Sequence, residues 1–258
     1  MAEIFSDIFA CRENRLTRID PRVKLVIAIP LILAVIMSSG IHLPLAVAVV
    51  CICTMILIRI PASLILARLV APLGIVFVIV VLQTFMTSGH PIFAFEIWGY
   101  QLAATEEGLQ RGILIGSRVI GAVSVVLLLS SVSPAHKIFE ALRWFRVPET
   151  WVEMALLVYR YIFVLIDQAA DVAAAQRSRL GYSSLRRSFS SLGILAGTVV
   201  TRSLDQSLRT YEAMVLRGYQ GEYRFGRFPE MSTFDRRLML AGPLLVVALY
   251  IVFEWCTR

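Results

Sequence analysis

The chain has 258 residues, of which 58% are hydrophobic and 17% are charged, and its mean hydropathy is +0.75. Charged residues make up about a quarter of an average globular chain, so this composition argues against a free cytosolic enzyme, a small secreted module and a disordered chain. The formal net charge of +7 suits either nucleic acid or an anionic membrane face, and the position of the charges decides between them.

The first apolar segment is too long for one membrane span. No Asp, Glu, Lys or Arg occurs from Leu25 to Ile58. A single helix of that length would measure roughly 50 Å, whereas the hydrocarbon core of a bilayer is about 30 Å thick. The turn-forming residues between Ser39 and Pro44 therefore predict a hairpin of two short spans, which Arg59 and Pro61 close.

Three more apolar segments follow, which brings the predicted number of spans to five. The third to fifth spans cover Leu69–Thr87, Ile113–Val132 and Leu238–Phe253. Between the third and fourth spans, the aromatic stretch from Ile92 to Thr105 suits an interfacial hairpin or a short helix.

A block of different character separates the fourth and fifth spans. From Ser133 to Asp235, 13 Lys and Arg residues and 10 Asp and Glu residues are interspersed with apolar residues, and the uncharged stretches, such as Ser188 to Thr201, are too short to span a membrane. This pattern predicts amphipathic helices at or under the membrane. The fold class predicted is an all-α integral membrane protein with four parts: an N-terminal segment (1–24), spans one to four (25–132), a coupling domain (133–235), and the last span with a short tail (236–258).

Lys and Arg residues set the predicted orientation. Arg12, Arg15, Arg18, Arg22 and Lys24 precede the first span, and the block after the fourth span is rich in Arg, whereas Gly40–Pro44 and Ser88–Gly108 hold neither residue type. The positive-inside rule therefore places the N-terminus and the block on the cytoplasmic side of the membrane. The basic excess then faces membrane lipid, and no nucleic-acid role is expected.

The sequence offers few residues for catalysis or metal binding. The first four spans contain no acidic residue, and two of the three histidines, His42 and His90, fall in predicted turns. A phosphate-binding GxxxxGK[ST] loop is also missing, so ATP would have to bind to another chain. We expect a non-catalytic protein without bound cofactor or metal; a self-sufficient membrane carrier or channel is the alternative to a subunit of a larger transporter.

Two arginines share one face of the fourth span. Arg111 and Arg118 are seven residues apart, which suits a contact with a partner membrane subunit. In the alternative interpretation, Arg111 pairs with Glu107 and Arg118 binds neighbouring backbone carbonyls.

One short pattern occurs twice in the block. In each copy an alanine precedes an arginine by four positions, and a glycine follows within two residues: Ala175, Arg179 and Gly181, then Ala213, Arg217 and Gly218. Residues four apart lie on one helical face, and glycine is a common helix stop. The repeat predicts two helices that each present an arginine at the C-terminal end to an acidic groove, or, alternatively, two arginines that bind the last carbonyls of their own helices.

Together these motifs resemble the transmembrane T component (EcfT/CbiQ family) of energy-coupling factor (ECF) ABC transporters, cobalt/nickel type, over nearly the whole chain. The opening motif Asp20-Pro21-Arg22-Val23-Lys24, the segment Glu106–Leu109, the segments Leu142–Pro148 and Tyr159–Ile162, and the two Ala-x-x-x-Arg signatures carry the resemblance. Two residues depart from the family pattern: Leu180 stands where glycine is usual, and Gln168 where glutamate is expected.

The resemblance implies partners as well as a fold. Members of this family connect two ATPase subunits, which bind ATP and Mg, to a substrate-binding S component, here CbiM/NikM-like, for uptake of cobalt or nickel. It implies that Arg179 and Arg217 each dock into one ATPase, and it makes the S component the membrane partner of Arg111 and Arg118 in the first interpretation of that pair. It also implies a multi-pass protein of the inner (plasma) membrane of a prokaryotic cell.

Overall fold

The computed structural model describes residues 16–17, 19–87, 90–97, 100–221 and 231–257. Within these ranges the chain is helical apart from one two-stranded hairpin, and it has the predicted class of an all-α membrane protein. Arg12, Arg15 and Arg18, on which the predicted orientation partly depends, lie outside the described residues.

Eight helices and two strands follow one another along the described chain. They are α1 (Pro21–Met37), α2 (His42–Leu57), α3 (Ala62–Met86), β1 (Pro91–Ile97), β2 (Tyr100–Thr105), α4 (Glu106–Val132), α5 (Ala135–Trp144), α6 (Glu149–Ser178), α7 (Leu185–Leu216) and α8 (Thr233–Thr257). The stretch predicted as a hairpin or a short helix is an antiparallel hairpin, in which Phe95 pairs with Leu102.

Three of these helices are long and apolar enough to cross a membrane: Ala62–Met86, Glu106–Val132 and Thr233–Trp255. α1 and α2, with 17 and 16 residues, are shorter. At about 1.5 Å per residue they measure roughly 25 Å, somewhat less than a hydrocarbon core. A turn between them is confirmed at residues 38–41, but His42 to Pro44, which were predicted to belong to it, form the first residues of α2. The count of five spans stays a prediction.

The chain divides into two compact units, one of Met1–Ile138 with Pro229–Arg258 and one of Phe139–Phe228. In the first unit α4 packs against α1, α2 and α3. Its contact with α3 is close because glycines line it: a Cβ on Gly112 would lie 3.1 Å from the Cα atom of Val80, and one on Gly116 would lie 2.8 Å from a methyl group of Val76. Such small residues let backbones approach where lipid supplies no hydrophobic driving force.

In the second unit α6 and α7 form an antiparallel pair. The hydroxyl of Thr210 donates to the hydroxyl oxygen of Tyr161 over 2.8 Å, and the side-chain amide of Gln176 donates to the carbonyl of Ser191 over 3.0 Å. Residues late in α6 therefore lie beside residues early in α7. The 30 and 32 residues of these helices give lengths of roughly 45 and 48 Å.

Candidate functional site

Both arginines of the repeated pattern occupy the same position at the end of a helix. Arg179 is the C-cap residue of α6, and Arg217 is the C-cap residue of α7. We call Arg179–Gly181 the first tip and Arg217–Tyr219 the second tip. Their backbone angles agree closely, with φ −92° and ψ 15° at Arg179 and φ −90° and ψ 9° at Arg217.

The hydrogen bonds that end the two helices are also the same. At the first tip, the N–H of Gly181 donates to the carbonyl of Gln176 and the N–H of Leu180 to that of Arg177, at 2.9 and 3.0 Å. The second tip repeats both bonds from Tyr219 and Gly218, to the carbonyls of Met214 and Val215. This double bond pattern is the Schellman motif, which satisfies carbonyls that a helix end leaves open.

The residue that reverses the backbone differs between the tips. Gly218 has φ 85°, as expected for a glycine stop, but at the first tip Leu180 takes this position with φ 57°. An L-residue in the left-handed region costs roughly 1–2 kcal/mol. Leu180 thus makes the reversal, and Gly181, one residue later, permits a close approach, since a Cβ there would lie 2.6 Å from the Ser191 hydroxyl.

Both guanidinium groups are left available by these caps. Arg179 and Arg217 are exposed, and neither guanidinium has a hydrogen-bond or ion-pair partner among the residues that the structure describes. The alternative in which each arginine binds the last carbonyls of its own helix is not observed among the described residues; backbone N–H groups bind two of those carbonyls at each helix end. Each tip thus carries one exposed guanidinium that has no partner among the described residues.

A side-chain network fixes the backbone of the first tip. The hydroxyl of Tyr182 donates to the side-chain oxygen of Gln176 over 2.7 Å, and the hydroxyl of Ser191 donates to the carbonyl of Gly181 over 2.9 Å. With the bond from Gln176 to the Ser191 carbonyl, these contacts close the turn between α6 and α7. Sequence reasoning missed Gln176 and Ser191 because they pair across the turn and belong to no local motif.

The antiparallel pairing places the tips at opposite ends of the helix pair. The first tip lies at the turn beside Ser191, whereas Arg217 ends α7, 26 residues further along. A rise of about 1.5 Å per residue puts roughly 39 Å between these points. The two arginines therefore lie too far apart to contact one small site.

The opening motif organises the start of α1. The carboxylate of Asp20 caps the helix by accepting from the N–H of Arg22 over 3.0 Å, and Pro21 follows at the first helical position. The guanidinium of Arg22, which is buried, lies 3.7 Å from the Asp20 carboxylate. These residues thus have a structural task in the described chain.

Lys24 of the same motif reaches across to the end of α4. Its ammonium donates to the carbonyl of Val132 over 3.3 Å, which satisfies a carbonyl at the negative end of that helix. Burial lowers the pKa of Lys24 to about 8; Lys137 acts in the same direction, whereas Asp20 and Asp235 oppose it. Lys24 is therefore a brace between α1 and the junction of α4 with α5.

Arg118 and Arg111 have different surroundings. The guanidinium of Arg118 donates twice to the carbonyl of Ser38, from Nη2 over 2.6 Å and from Nε over 3.1 Å. This contact agrees with the alternative interpretation, in which Arg118 binds a neighbouring backbone carbonyl. Arg111 is exposed and makes no ion pair with Glu107 in the described part of the chain. A contact of either residue with another subunit stays a prediction.

The turn that Arg118 holds is also bound by α8, which the sequence did not suggest. The hydroxyl of Tyr250 donates to the carbonyl of Met37 over 3.4 Å, and the carboxylate of Glu254 accepts from the N–H of Ser39 over 3.3 Å. α4 and α8 thus bind the backbone of three consecutive residues, Met37 to Ser39, where α1 ends and the turn begins. Over the described ranges, no group of three or more His, Cys, Asp or Glu side chains converges as metal ligands would.

Comparison with known proteins agrees with this architecture. The fold defines a membrane protein, with three helices in the described chain that are long and apolar enough to cross a bilayer. Residues 12–226 match the family described as cobalt transport protein, CbiQ, and the chain belongs to that family.

Individual relatives carry related names. The chain is 30% identical to the cobalt transport protein CbiQ of Rhodobacter capsulatus over 64% of each chain. It is 23% identical to the energy-coupling factor transporter transmembrane protein EcfT of Lactobacillus helveticus, over 98% of this chain and 95% of that one. A putative fused cobalt transport protein CbiMQ of Methanocorpusculum labreanum is 28% identical over 49% of this chain, a match that covers only 21% of the fused protein. The resemblance to T components of ECF transporters is confirmed.

Proposed function

We propose that this chain is the coupling subunit of an ECF-type ABC transporter, which transmits the ATP-driven motion of two ATPase subunits to a substrate-binding S component. The observation that best supports this proposal is the pair of tips. They have matching caps and unpaired arginines, and they lie at opposite ends of the α6–α7 pair. Two docking points separated by roughly 39 Å suit two ATPase subunits with one groove each.

The electrostatics of the tips indicate the kind of groove. An exposed guanidinium loses its hydration on docking, and only an acidic partner with fixed acceptors compensates for that loss. Arg is suited to this task because its planar group binds a carboxylate through two hydrogen bonds. In this proposal Arg179 and Arg217 each bind an acidic groove, ATP and Mg remain on the ATPases, and this chain catalyses no reaction.

The proposed mechanism follows from the length of α6 and α7. When the ATPases close on ATP, the grooves shift and carry the two tips with them. The hydrogen bonds of Gln176 and Ser191 join α6 and α7 at the turn, so the two helices move together. The S component receives this motion on the cytoplasmic side of the inner membrane.

Cobalt is the proposed substrate, with nickel as the close alternative. The family description and the name of the Rhodobacter capsulatus relative mention cobalt transport. A fused relative named CbiMQ supports a CbiM-like S component as the membrane partner. Metal selection would reside in that partner, since no metal-ligand cluster is found among the described residues of this chain.

Reconstitution in vesicles tests the proposal against a self-sufficient carrier or channel. The chain is inserted alone, with the S component, or with the S component and both ATPases, and entry of radioactive cobalt is measured with and without ATP. We expect uptake only in the complete set with ATP. Cobalt flux through vesicles that contain this chain alone would contradict the proposal.

A further inference from the structure

Leu180 combines two features that are unfavourable in the isolated chain. Its backbone lies in the left-handed region, with φ 57°, and its apolar side chain is 67% exposed. The other residues besides glycine with a positive φ in the described chain are Arg59 and Arg146, whose side chains are charged. Leu180 is therefore the apolar residue of this set, and its conformation carries a penalty that glycine would avoid.

Nothing in the helix end itself requires a leucine at this position. The second tip forms the same two capping bonds with Gly218 in the equivalent place. The side-chain network of the first tip is built by Gln176, Tyr182 and Ser191, and it does not use Leu180. A residue held in a strained conformation by surrounding bonds, with an exposed side chain, points to a role in contact with a partner.

The second tip supplies a comparison. There the exposed leucine is Leu216, which is 89% exposed and precedes Arg217 in the last turn of α7. Each tip therefore displays one arginine next to one exposed leucine, but the leucine follows the arginine at the first tip and precedes it at the second. A groove that fits such a tip needs an acidic group for the guanidinium and an apolar wall for the leucine.

We propose that Leu180 is an affinity-determining contact of the first tip, which packs on an apolar wall beside the acidic group of the ATPase groove. This inference rests on the proposed function, and it adds the leucine to the arginine as a second element of recognition. Because the two leucines flank their arginines on opposite sides, the tips fit grooves of different shape.

The test measures the affinity of purified ATPase subunits for the full chain in lipid nanodiscs. Leu180→Gly is expected to weaken binding about tenfold, which corresponds to about 1.4 kcal/mol. Its melting temperature should not fall, because glycine relieves the strained backbone. Leu180→Met should retain binding, since it keeps an apolar side chain of similar volume.

Arg59→Gly is the matched control, because it replaces another exposed residue with a positive φ, 61°, in the first unit, which holds neither tip. Unchanged binding by Leu180→Gly, an equal loss in the control, or a lower melting temperature of Leu180→Gly would overturn the inference. Arg179→Glu distinguishes failure of the proposed docking function from failure of the role of Leu180. If Arg179→Glu also leaves binding intact, the docking function is refuted. If Arg179→Glu releases the ATPase and Leu180→Gly has no effect, only the role of the leucine is refuted.

Discussion

Arg118 is expected to stabilise the membrane unit by holding the turn between α1 and α2. Both of its hydrogen bonds reach one carbonyl, that of Ser38, a residue only 2% exposed. A hydrogen bond from a charged group contributes roughly 1.5–3 kcal/mol, and an unsatisfied buried acceptor costs about 1–3 kcal/mol. Since little water reaches such a site to replace the lost donor, Arg118→Met should lower the free energy of unfolding by about 2–3 kcal/mol.

The assay is denaturant-induced unfolding in a mild detergent, followed by the tryptophan signal. Arg111→Met serves as the matched control because this residue lies on the same helix, carries the same charge and is exposed without a partner among the described residues. It should change stability by less than about 0.5 kcal/mol. Equal effects of the two substitutions would refute the assignment of a structural role to Arg118.

Two further predictions concern packing and charge in the first unit. Gly108→Ala should destabilise the chain by about 1–3 kcal/mol, because the new methyl group collides with the carbonyl of Gln83. Gly74→Ala on the facing helix should not, because a Cβ at Gly74 meets no atom within 4 Å. Both variants are measured in the same unfolding assay, and similar losses of stability would contradict the close contact of α3 and α4. Because the pKa of Lys24 is lowered to about 8, the unfolded chain binds more protons between pH 8 and about 10, and stability should rise with pH in that range. Lys24→Met should remove this rise in stability. A rise of equal size in the variant would refute the assignment of the rise to Lys24.

The sequence predicted the features of this protein that depend on local patterns. Uncharged runs marked the membrane helices, and the turn residues near Gly40 marked the hairpin between α1 and α2. The Ala-x-x-x-Arg repeat identified the ends of α6 and α7 because a helix C-terminus is encoded within a few residues. Patterns of this range need no knowledge of the tertiary structure.

Features that depend on distant residues were missed. Lys24 and Val132 are 108 positions apart, and Ser39 and Glu254 are 215 positions apart, so no local spacing connects them. The left-handed conformation of Leu180 was also unexpected, because propensity assigns that position to glycine and only the surrounding bonds impose it on leucine. The glycines of α4 were not predicted to form a packing surface, because only the folded structure shows that α3 lies against them.

The docking of two ATPases through Arg179 and Arg217 is tested most directly by co-purification of the complex. We expect Arg179→Glu with Arg217→Glu to release both ATPases and to abolish ATP-driven cobalt uptake, because each substitution places a carboxylate in an acidic groove. Arg146→Glu with Arg202→Glu, a change of equal charge at two exposed residues of the second unit, should retain both. A double variant at the tips that still co-purifies with both ATPases and transports normally would contradict the coupling role.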